Sequence, residues 1–446
     1  MKYLIIAGTV LLGLPAAAQA LPGKIAASLR VLENSKEWQH AIVGLLVADA
    51  ATGKPVYAHN AEYGLAPAST QKLFTSIAAL ETLGPSFRYE TLFGLSGDRL
   101  VVDASGDPSL GSPRFTSTRA ESLLTTLGAI LKRQQQKFTR VELCNRQLLS
   151  NNSIPGGWIW EDIGNYYGAP AHSFNWMENQ FDIVLHSGSV VGDSVAISGF
   201  EPPEAGIPIR NTVTSAPAGT GDNTIVYLPL GSAPALINGS IPVNEKKFVV
   251  SAAMTEPLSV FLRQLLPARG IPPIDTTRAG VEYQLLYRHV SPTLDSLNYW
   301  FLRKSINLYG EALLNTLAAK NQLAGETRAG TEWLKKFWAE KGIDSSSLHI
   351  YDGSGLSPQN RVTVSALVKA LQFAKGRPWF SAFYNALPEY NGMKMKSGSI
   401  NGARAFAGFH KTASGKDYVF AVIVNNYDGA SITTVRKLFG LLDLLK

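Results

Sequence analysis

The feature that most constrains the fold is the placement of strand-like segments at both ends of the chain. Ala41 to Ala50 is a nearly continuous apolar run, and the run from Pro55 to His59 follows a short turn, a pattern that predicts a β-hairpin with a buried first strand. Near the C-terminus, Arg404 to Lys411 and Tyr418 to Asn425 are two further strand-like runs. We therefore predict one α/β domain made from both chain ends, with smaller modules inserted between them.

Helix signals accompany these strands. A helix is predicted from Ser69 to about Leu83, where Gly84-Pro85 ends it, and another from about Ile432 to Leu445. The last helix has an apolar stripe that fits either a membrane surface or its own sheet, and we favour packing on the sheet. A third helical pattern runs from about Leu294 to Ala319 and is interrupted at Ser305-Ile306-Asn307.

The middle of the chain has a different composition. Gly199 to about Val243 is dense in Pro, Gly, Ser and Thr, which indicates a small β-rich module or a loop system. On either side, Ser122 to Arg133 and Glu256 to Leu266 have helical patterns, whereas Asp182 to His186 and Phe248 to Ala252 have strand patterns.

The first twenty residues predict export. Lys2 provides a positive start, Leu4 to Ala17 an apolar stretch, and Ala18-Gln19-Ala20 a small-residue cleavage site, as in a secretory signal peptide. The stretch is shorter than the roughly 20 apolar residues that a spanning helix needs. We therefore predict a mature protein that begins near Leu21 and lies in the periplasm or the cell-wall space.

Charge and cysteine content narrow the classes of function. The 446 residues contain 41 Lys and Arg against 34 Asp and Glu, a formal net charge of +7, but the basic residues are scattered. This distribution argues against nucleic-acid binding and allows at most a peripheral attraction to membranes or anionic polymers. The single cysteine, Cys144, excludes an intrachain disulfide and a thiol-ligated metal cluster.

Three short motifs carry the chemistry. Ser69-Thr70-Gln71-Lys72 opens the first helix, so that the lysine amine, three residues on, reaches the serine hydroxyl at a helix terminus that favours negative charge. Ser305-Ile306-Asn307 places polar side chains at a helix break. Lys396-Ser397-Gly398-Ser399 suits a strand that lines a site, with a cation and a hydroxyl for a carboxylate. The order S-x-x-K, S-x-N, K-[ST]-G is typical of penicillin-binding proteins and serine β-lactamases.

With these motifs the chain resembles the class C low-molecular-weight penicillin-binding proteins, the D-Ala-D-Ala carboxypeptidase/endopeptidase family. The block from Ala66 to Lys72, the Gly106-Asp107-Pro108 turn and the block from Asp352 to Ser357 match that family, as does the long gap between Lys72 and Ser305. The third motif departs from it, with Ser397 where the family usually has threonine. The resemblance covers essentially the whole mature chain.

The resemblance implies a fold and a domain division. The fold is α/β, a penicillin-recognising serine transpeptidase/β-lactamase-like domain with an antiparallel sheet flanked by helices and two inserted smaller domains. The signal peptide is expected at 1–20 and the transpeptidase-like domain at 21–90 and 288–446. An inserted mixed α/β domain is expected at 91–198 and 246–287, and a small β-rich domain at 199–245.

The resemblance also implies roles for the motif residues. Ser69 is expected to attack the carbonyl of the penultimate D-alanine, with Lys72 as its proton acceptor. Ser305 would relay a proton to the leaving amine, and Asn307 would orient Lys72 and the substrate amide. Lys396 and Ser397 would hold the terminal carboxylate. The backbone N–H groups of Ser69 and Ser399, the latter placed by Gly398, would form the oxyanion hole.

Further expectations concern substrate and partners. In the resembling proteins an acidic residue of the insert meets the amine of the diaminopimelate-type side chain; Asp162 is the candidate here and Glu161 the second. The alternative is that both acids cap the segment before Asn165-Tyr166. The Asp352 to Ser357 block is expected to be a structural turn near the cleft. Expected ligands are peptidoglycan stem peptides and, as covalent inhibitors, β-lactams; no cofactor or metal is expected, and the oligomeric state stays open.

Three other classes of function were weighed. A zinc amidase is disfavoured, because the seven histidines form neither H-x-x-E-H nor H-E-x-x-H spacing. A β-lactamase has the same three motifs but is generally compact, without such inserts. A non-catalytic cell-wall binding protein on the same fold would lack Ser69 or Lys72. We therefore predict a β-lactam-sensitive serine D,D-peptidase, with carboxypeptidase and endopeptidase activity both open.

Overall fold

A computed structural model describes residues 20–134, 138–145, 154–229, 233–266, 270–277 and 280–446. The predicted signal peptide, apart from Ala20, lies outside the described residues. The α-helices of the described residues are, in chain order, α1 (Leu21–Glu33), α2 (Lys72–Leu83), α3 (Ala120–Arg133), α4 (Trp160–Ile163), α5 (Pro257–Leu265), α6 (Leu294–Arg303), α7 (Asn307–Lys320), α8 (Thr327–Glu340), α9 (Val364–Lys375), α10 (Phe380–Ala386) and α11 (Ser431–Leu442).

The β-strands of the described residues are β1 (Ile42–Asp49), β2 (Pro55–His59), β3 (Glu90–Ser96), β4 (Arg99–Asp103), β5 (Arg140–Cys144), β6 (Gln180–His186), β7 (Ala196–Glu201), β8 (Ile209–Asn211), β9 (Thr214–Ala216), β10 (Ile225–Tyr227), β11 (Ala235–Asn238), β12 (Ser240–Pro242), β13 (Phe248–Ala253), β14 (Ile274–Thr277), β15 (Gln284–Val290), β16 (Leu348–His349), β17 (Arg361–Val362), β18 (Glu389–Tyr390), β19 (Met393–Ile400), β20 (Ala403–Lys411) and β21 (Asp417–Asn425).

The main sheet joins the two ends of the chain. Its strand order is β18-β19-β20-β21-β1-β2, and all neighbouring strands are antiparallel. Strand β1 pairs with β21 over its whole length, from Ile42 opposite Asn425 to Asp49 opposite Tyr418. Both predicted hairpins are therefore confirmed, and the ends of their strands differ from the predicted ends by no more than one residue.

Alternation along the strands gives this sheet two buried faces. Ala405, Ala407 and Phe409 of β20 pack with the apolar side chains of the central helices in one core. Phe406 of the same strand packs in a second core, with Leu438 and other side chains of the terminal helices. The C-terminal helix packs on its own sheet, as predicted. The fold is α/β, with an antiparallel main sheet flanked by helices.

Helices α2 and α7 lie inside the first core and carry the first two motifs. Every residue of α2 from Lys72 to Leu80 is buried, and so is every residue of α7 from Asn307 to Ala318. A helix that is buried on all sides is expected to be apolar throughout. The polar residues at the start of both helices are therefore exceptions, removed from bulk water.

The middle of the chain forms further sheets around its own core. A five-stranded sheet has the order β14-β5-β4-β3-β15, and a three-stranded sheet has the order β13-β6-β7. Strands β3 and β15, which follow α2 and precede α6, pair antiparallel, so the chain leaves and re-enters the helical core side by side. The predicted helices 122–133 and 256–266 and strands 182–186 and 248–252 are all present, within two residues at their ends.

Between residues 199 and 245 the described strands are short, three or four residues each except for the end of β7. They form a three-stranded sheet, β10-β11-β8, and a two-stranded sheet, β12-β9. The exact domain boundaries stay a prediction. In the part of the chain that the structure describes, no helix is long and apolar enough to cross a membrane.

Candidate active site

Ser69 and Lys72 meet at the start of α2, although the helix begins later than predicted. Ala68–Gln71 form a 3-10 helix, and the α-helix starts at Lys72. The 3-10 turn has three residues per turn, so positions 69 and 72 lie one above the other. Lys72 Nζ lies 3.0 Å from Ser69 Oγ. The predicted helix from Ser69 is corrected in its first turn, but the two side chains meet as expected.

Burial decides the chemistry of Lys72. Its side chain is 0% exposed, and burial lowers its pKa to about 7, against the opposing attraction of Asp352 and Glu311. Besides Ser69, the ammonium donates to Asn307 Oδ1 at 2.6 Å and to the carbonyl of Ser354 at 2.7 Å. At neutral pH a large share of Lys72 is a free amine, which can accept the proton of the Ser69 hydroxyl.

The second motif lies at the junction of α6 and α7. Ser305 has φ 57°, a left-handed conformation that is uncommon outside glycine and that turns the chain between the helices. Asn307 is the first residue of α7, and its side chain bridges Lys72 and the backbone, because Nδ2 donates to the carbonyl of Tyr167 at 2.7 Å. The predicted interruption of the helical pattern is confirmed.

The third motif lies on β19, beside the nucleophile. Lys396 is 1% exposed, and its Nζ donates to the Ser397 carbonyl at 2.8 Å. Burial, and secondarily the nearby charge of Lys72, hold the pKa of Lys396 well below its usual value. Strand β18 pairs only with Met393 and Lys394 of β19, and further along the same strand Ser399 and Ile400 line the cleft.

Strand β19 needs a glycine at position 398 because its backbone lies close to the segment that carries Ser69. A Cβ at Gly398 would lie 2.4 Å from the carbonyl oxygen of Pro67 and 3.1 Å from the amide nitrogen of Ser69. Real Cβ atoms essentially never approach other atoms below 3.0 Å. The absence of a side chain therefore lets β19 lie directly against the backbone that carries Ser69.

The turn from Asp352 to Ser357 supports the floor of the site. Asp352 is fully buried, and its carboxylate accepts five hydrogen bonds. The donors are Gln71 Nε2, the backbone amides of Gly355 and Ser357, Trp158 Nε1 and Asn360 Nδ2, at 2.6–3.0 Å. Gly355, at φ 84°, lies against the carbonyl of Ala68, where a Cβ would approach to 2.0 Å. The turn thus fixes the Ser354 carbonyl that receives Lys72, in agreement with the structural role expected for it.

Sequence reasoning missed Glu311. This residue of α7 is fully buried one turn after Asn307, and its two carboxylate oxygens accept the Gly353 amide at 3.1 and 3.0 Å. Burial, together with the neighbouring Asp352, raises its pKa to about 8. The spacing of four residues after Asn307 was a usable signal, because residues four apart share a helix face.

A cleft with a cavity volume of about 860 Å³ opens above these residues. Ser69, Ser305, Asn307 and Ser399 line it, and so does Asp162. Other lining residues are Tyr166, Tyr167, Arg114, Glu178, Ile400 and Arg404. Lys72, Lys396 and Ser397 lie behind this lining.

The two acidic candidates differ in position. Asp162, in α4, is partly buried and hydrogen-bonds with the Tyr167 hydroxyl; burial is the main cause that raises its pKa. Glu161 is exposed and does not line the cleft. Both acids lie in the first turn of α4, after its N-cap Ile159, so the capping alternative stays a prediction beside the substrate-binding one.

One wall of the cleft contains an ion pair between a buried carboxylate and a half-buried arginine, which the sequence did not reveal. Arg114 Nε donates to Glu178 Oε1 at 2.8 Å, and Glu178 also accepts from the Ser112 and Tyr309 hydroxyls at 2.8 and 2.9 Å. Tyr309 belongs to α7, two residues after Asn307. The pair therefore ties the inserted segments to the helix that carries the second motif. Among the described residues, no cluster of His, Cys, Asp or Glu could hold a metal ion.

The sequence and the fold of the chain are similar to those of known proteins. Residues 25–389 match the family described as "D-Ala-D-Ala carboxypeptidase 3 (S13) family". The matched range contains the first two motifs and ends before Lys396. The chain is 24% identical to the D-alanyl-D-alanine carboxypeptidase of Actinomadura sp., over 89% of this chain and 80% of that one.

A second relative links sequence and structure. The chain is 24% identical to the D-alanyl-D-alanine carboxypeptidase DacB of Haemophilus influenzae, over 89% of this chain and 88% of that protein. The fold of this chain is similar to the crystal structure of penicillin-binding protein 4 (dacB) from H. influenzae. The TM-score is 0.78, the identity is 21%, and the match covers 94% of this chain and 99% of that one. A crystal of that protein in complex with a β-lactam is similar too, with a TM-score of 0.72, 20% identity and the same coverage.

Proposed function

The chain belongs to the D-Ala-D-Ala carboxypeptidase 3 (S13) family of serine-type carboxypeptidases, and from this premise we propose that it is an exported D,D-peptidase that works through an acyl-enzyme on Ser69. Its substrates are the D-Ala-D-Ala ends, and by the same chemistry the peptide cross-links, of peptidoglycan. The observation that carries the proposal is the 3.0 Å contact between Ser69 Oγ and the buried Lys72 amine.

Acylation begins when Lys72, as a free amine, accepts the Ser69 proton. The Oγ atom attacks the carbonyl carbon of the penultimate D-alanine and forms a tetrahedral intermediate. The C–N bond then breaks, and the leaving amine takes a proton from Lys72 through the Ser305 hydroxyl. Free D-alanine departs, and Ser69 keeps the acyl group until water hydrolyses the ester. The lowered pKa of Lys72 supports this role, because a proton carrier works best near the operating pH.

The oxyanion is assigned to the backbone amides of Ser69 and Ser399. The close approach at Gly398 supports this, since it brings β19 against the segment that carries the nucleophile. Each such donor typically contributes about 10²–10³ in rate. Asn307 holds Lys72 and the substrate amide, and Lys396 with Ser397 recognises the terminal carboxylate. β-Lactams, which imitate the D-Ala-D-Ala end, acylate the same serine; the β-lactam complex of the H. influenzae protein is consistent with this.

Asp162 is proposed to bind a substrate amine. It lines the cleft, whereas Glu161 does not, and its partial burial favours a charged partner. An amine at the end of a diaminopimelate-type side chain has the complementary charge. Export to the periplasm or the cell-wall space rests on the signal-like residues 1–20 alone.

The test is intact-mass spectrometry of the mature protein with benzylpenicillin, followed over time beside the Ser69→Ala variant. We expect a long-lived adduct of one penicillin that the variant does not form, together with loss of D-alanine release in the variant. Retained release would place the nucleophile elsewhere. An adduct that disappears within seconds while the drug is consumed would indicate a β-lactamase, and the absence of any adduct would indicate a non-catalytic binding protein.

A further inference from the structure

Arg404 is a cation of the cleft to which the mechanism above gives no role. It lies on β20 directly opposite Ser399 of β19, and it lines the cleft together with Ser69 and Ser399. Directly opposed residues of antiparallel strands have Cβ atoms about 4.5–5.5 Å apart, with side chains on the same face. Arg404 is therefore the immediate neighbour of the residue whose amide is assigned to the oxyanion.

The side chain of Arg404 is held in place at one edge. Its Nε donates to the hydroxyl of Ser431, the first residue of α11, and that hydroxyl also accepts from the Tyr427 hydroxyl at 3.3 Å. A guanidinium carries five N–H donors, so this contact leaves its two terminal nitrogens available. Half-burial and the Nε contact fix the orientation before any ligand arrives, which reduces the entropy lost on binding.

Arg404 also has no counter-ion in the part of the chain that the structure describes. None of the ion pairs there includes it. Asp428, which also lines the cleft, is exposed and accepts a hydrogen bond from the Gly429 amide. A held cation in a concave site without a carboxylate partner favours an anionic ligand.

The other cations near the cleft are less suited to this task. Arg114 is neutralised by Glu178, and Lys304 is exposed without a side-chain hydrogen bond among the described residues. Lys72 and Lys396 are buried, burial lowers their pKa values, and both already have proposed roles, at Ser69 and at the terminal carboxylate. An arginine, in contrast, stays charged in proteins.

We propose that Arg404 binds a carboxylate of the peptide substrate through its terminal guanidinium nitrogens and so determines which stem peptides the cleft accepts. This inference rests on the proposed D,D-peptidase function. The carboxylate has two possible sources: the C-terminus of the leaving D-alanine, which Arg404 would share with Lys396 and Ser397, or an acidic residue of the stem upstream of the scissile bond. Both present the planar, two-oxygen group that arginine holds with paired hydrogen bonds.

The experiment compares wild-type protein with Arg404→Gln, Arg404→Lys and the control Lys411→Gln. Lys411 is an exposed cation at the other end of β20 and does not line the cleft, so its loss matches the change in net charge. Three acyl-D-Ala-D-Ala substrates are used: one without an acidic residue, one with a free upstream carboxylate, and the same peptide with that carboxylate amidated. Steady-state kinetics give kcat and KM for each.

We expect Arg404→Gln to raise KM about ten- to a hundredfold with little change in kcat, as for loss of a charged hydrogen bond made equally in ground and transition states. Arg404→Lys should lose less, and Lys411→Gln should match the wild type. An equal loss on all three substrates assigns the carboxylate of the leaving D-alanine. A loss confined to the free upstream carboxylate assigns the acidic residue of the stem.

Arg404→Gln kinetics within about threefold of the wild type on every substrate would overturn the proposal, and so would an equal loss in Lys411→Gln. Peptide affinity, measured by calorimetry in the Ser69→Ala background with and without Arg404→Gln, tests the Arg404 contact separately from the D,D-peptidase function. A weaker affinity in the double variant supports the carboxylate contact even if turnover is absent. Normal wild-type turnover with unchanged affinity refutes the contact and leaves the D,D-peptidase proposal intact.

Discussion

Replacing Gly398 by alanine tests whether the close approach of β19 to the nucleophile is needed for catalysis. The added Cβ would lie 2.4 Å from the Pro67 carbonyl oxygen, whereas ordinary van der Waals contact begins at 3.4 Å. Because the obstructing atom belongs to the backbone, it cannot rotate away. The strand and the Ser69 segment must therefore separate by about 1 Å.

Such a separation acts on both proposed oxyanion donors, since the amides of Ser69 and Ser399 lie on opposite sides of the contact. A misplacement of about 1 Å can cost about 10²-fold in rate. We expect the second-order rate of acylation by benzylpenicillin to fall at least a hundredfold in Gly398→Ala, measured by adduct formation in intact-mass spectrometry.

The matched control is Gly199→Ala, on strand β7, where an added Cβ would have no heavy atom within 4 Å. This variant carries the same change of backbone entropy in a strand and should acylate at the wild-type rate. If Gly398→Ala acylates as fast as the control, the close packing at this position is not what places the oxyanion donors, and the reasoning fails.

Three further predictions follow from other contacts. Because burial lowers the pKa of Lys72 to about 7, acylation should rise about tenfold per pH unit up to that value and level off above pH 8; a flat profile of adduct formation from pH 5 to 9 would contradict this. Glu178→Ala should lower the free energy of unfolding by about 1–3 kcal/mol in urea titrations, because the Ser112 and Tyr309 hydroxyls lose their buried acceptor, while the exposed-acid control Glu121→Ala should change it by less than about 1 kcal/mol. Asp162→Asn should reduce kcat/KM for amine-bearing stem peptides more than for simple D-Ala-D-Ala substrates, and Glu161→Gln should leave kcat/KM unchanged for both. Equal losses on both substrates in Asp162→Asn would show that Asp162 does not bind the substrate amine.

Local patterns predicted the secondary structure near the site well, because they are set by nearby residues. The hairpins of the main sheet and the helix break at Ser305 were readable from apolar runs and turn residues. The first turn of the Ser69 helix was not. Its 3-10 geometry, with Ala68 at φ 47°, occurs where the backbones of Gly355 and Gly398, from elsewhere in the chain, lie against this segment.

The motif residues could be identified from sequence, but the residues that shift their pKa values or hold them in position could not. Glu311 and Asp352, which lie far from Lys72 in sequence, act on it through their charges and oppose the effect of burial on its pKa. The Arg114–Glu178 pair is similarly non-local, since two charged residues 64 positions apart carry no shared pattern. Arg404 appears in sequence as an ordinary polar strand residue; only its place opposite Ser399 and its missing counter-ion distinguish it.

The pairing of β1 with β21 has a consequence for how the protein folds. The Ala66 amide, three residues before the nucleophile, is bound by the side chain of Asn425 at 2.7 Å, across 359 positions of sequence. Folding rates fall as contacting residues lie further apart in the chain, because loop-closure entropy must be overcome before such contacts form. The segment that carries Ser69 therefore acquires its last neighbours only when strand β21 docks, late in folding. We expect a slow-folding enzyme that shows no peptidase activity until β21 has docked.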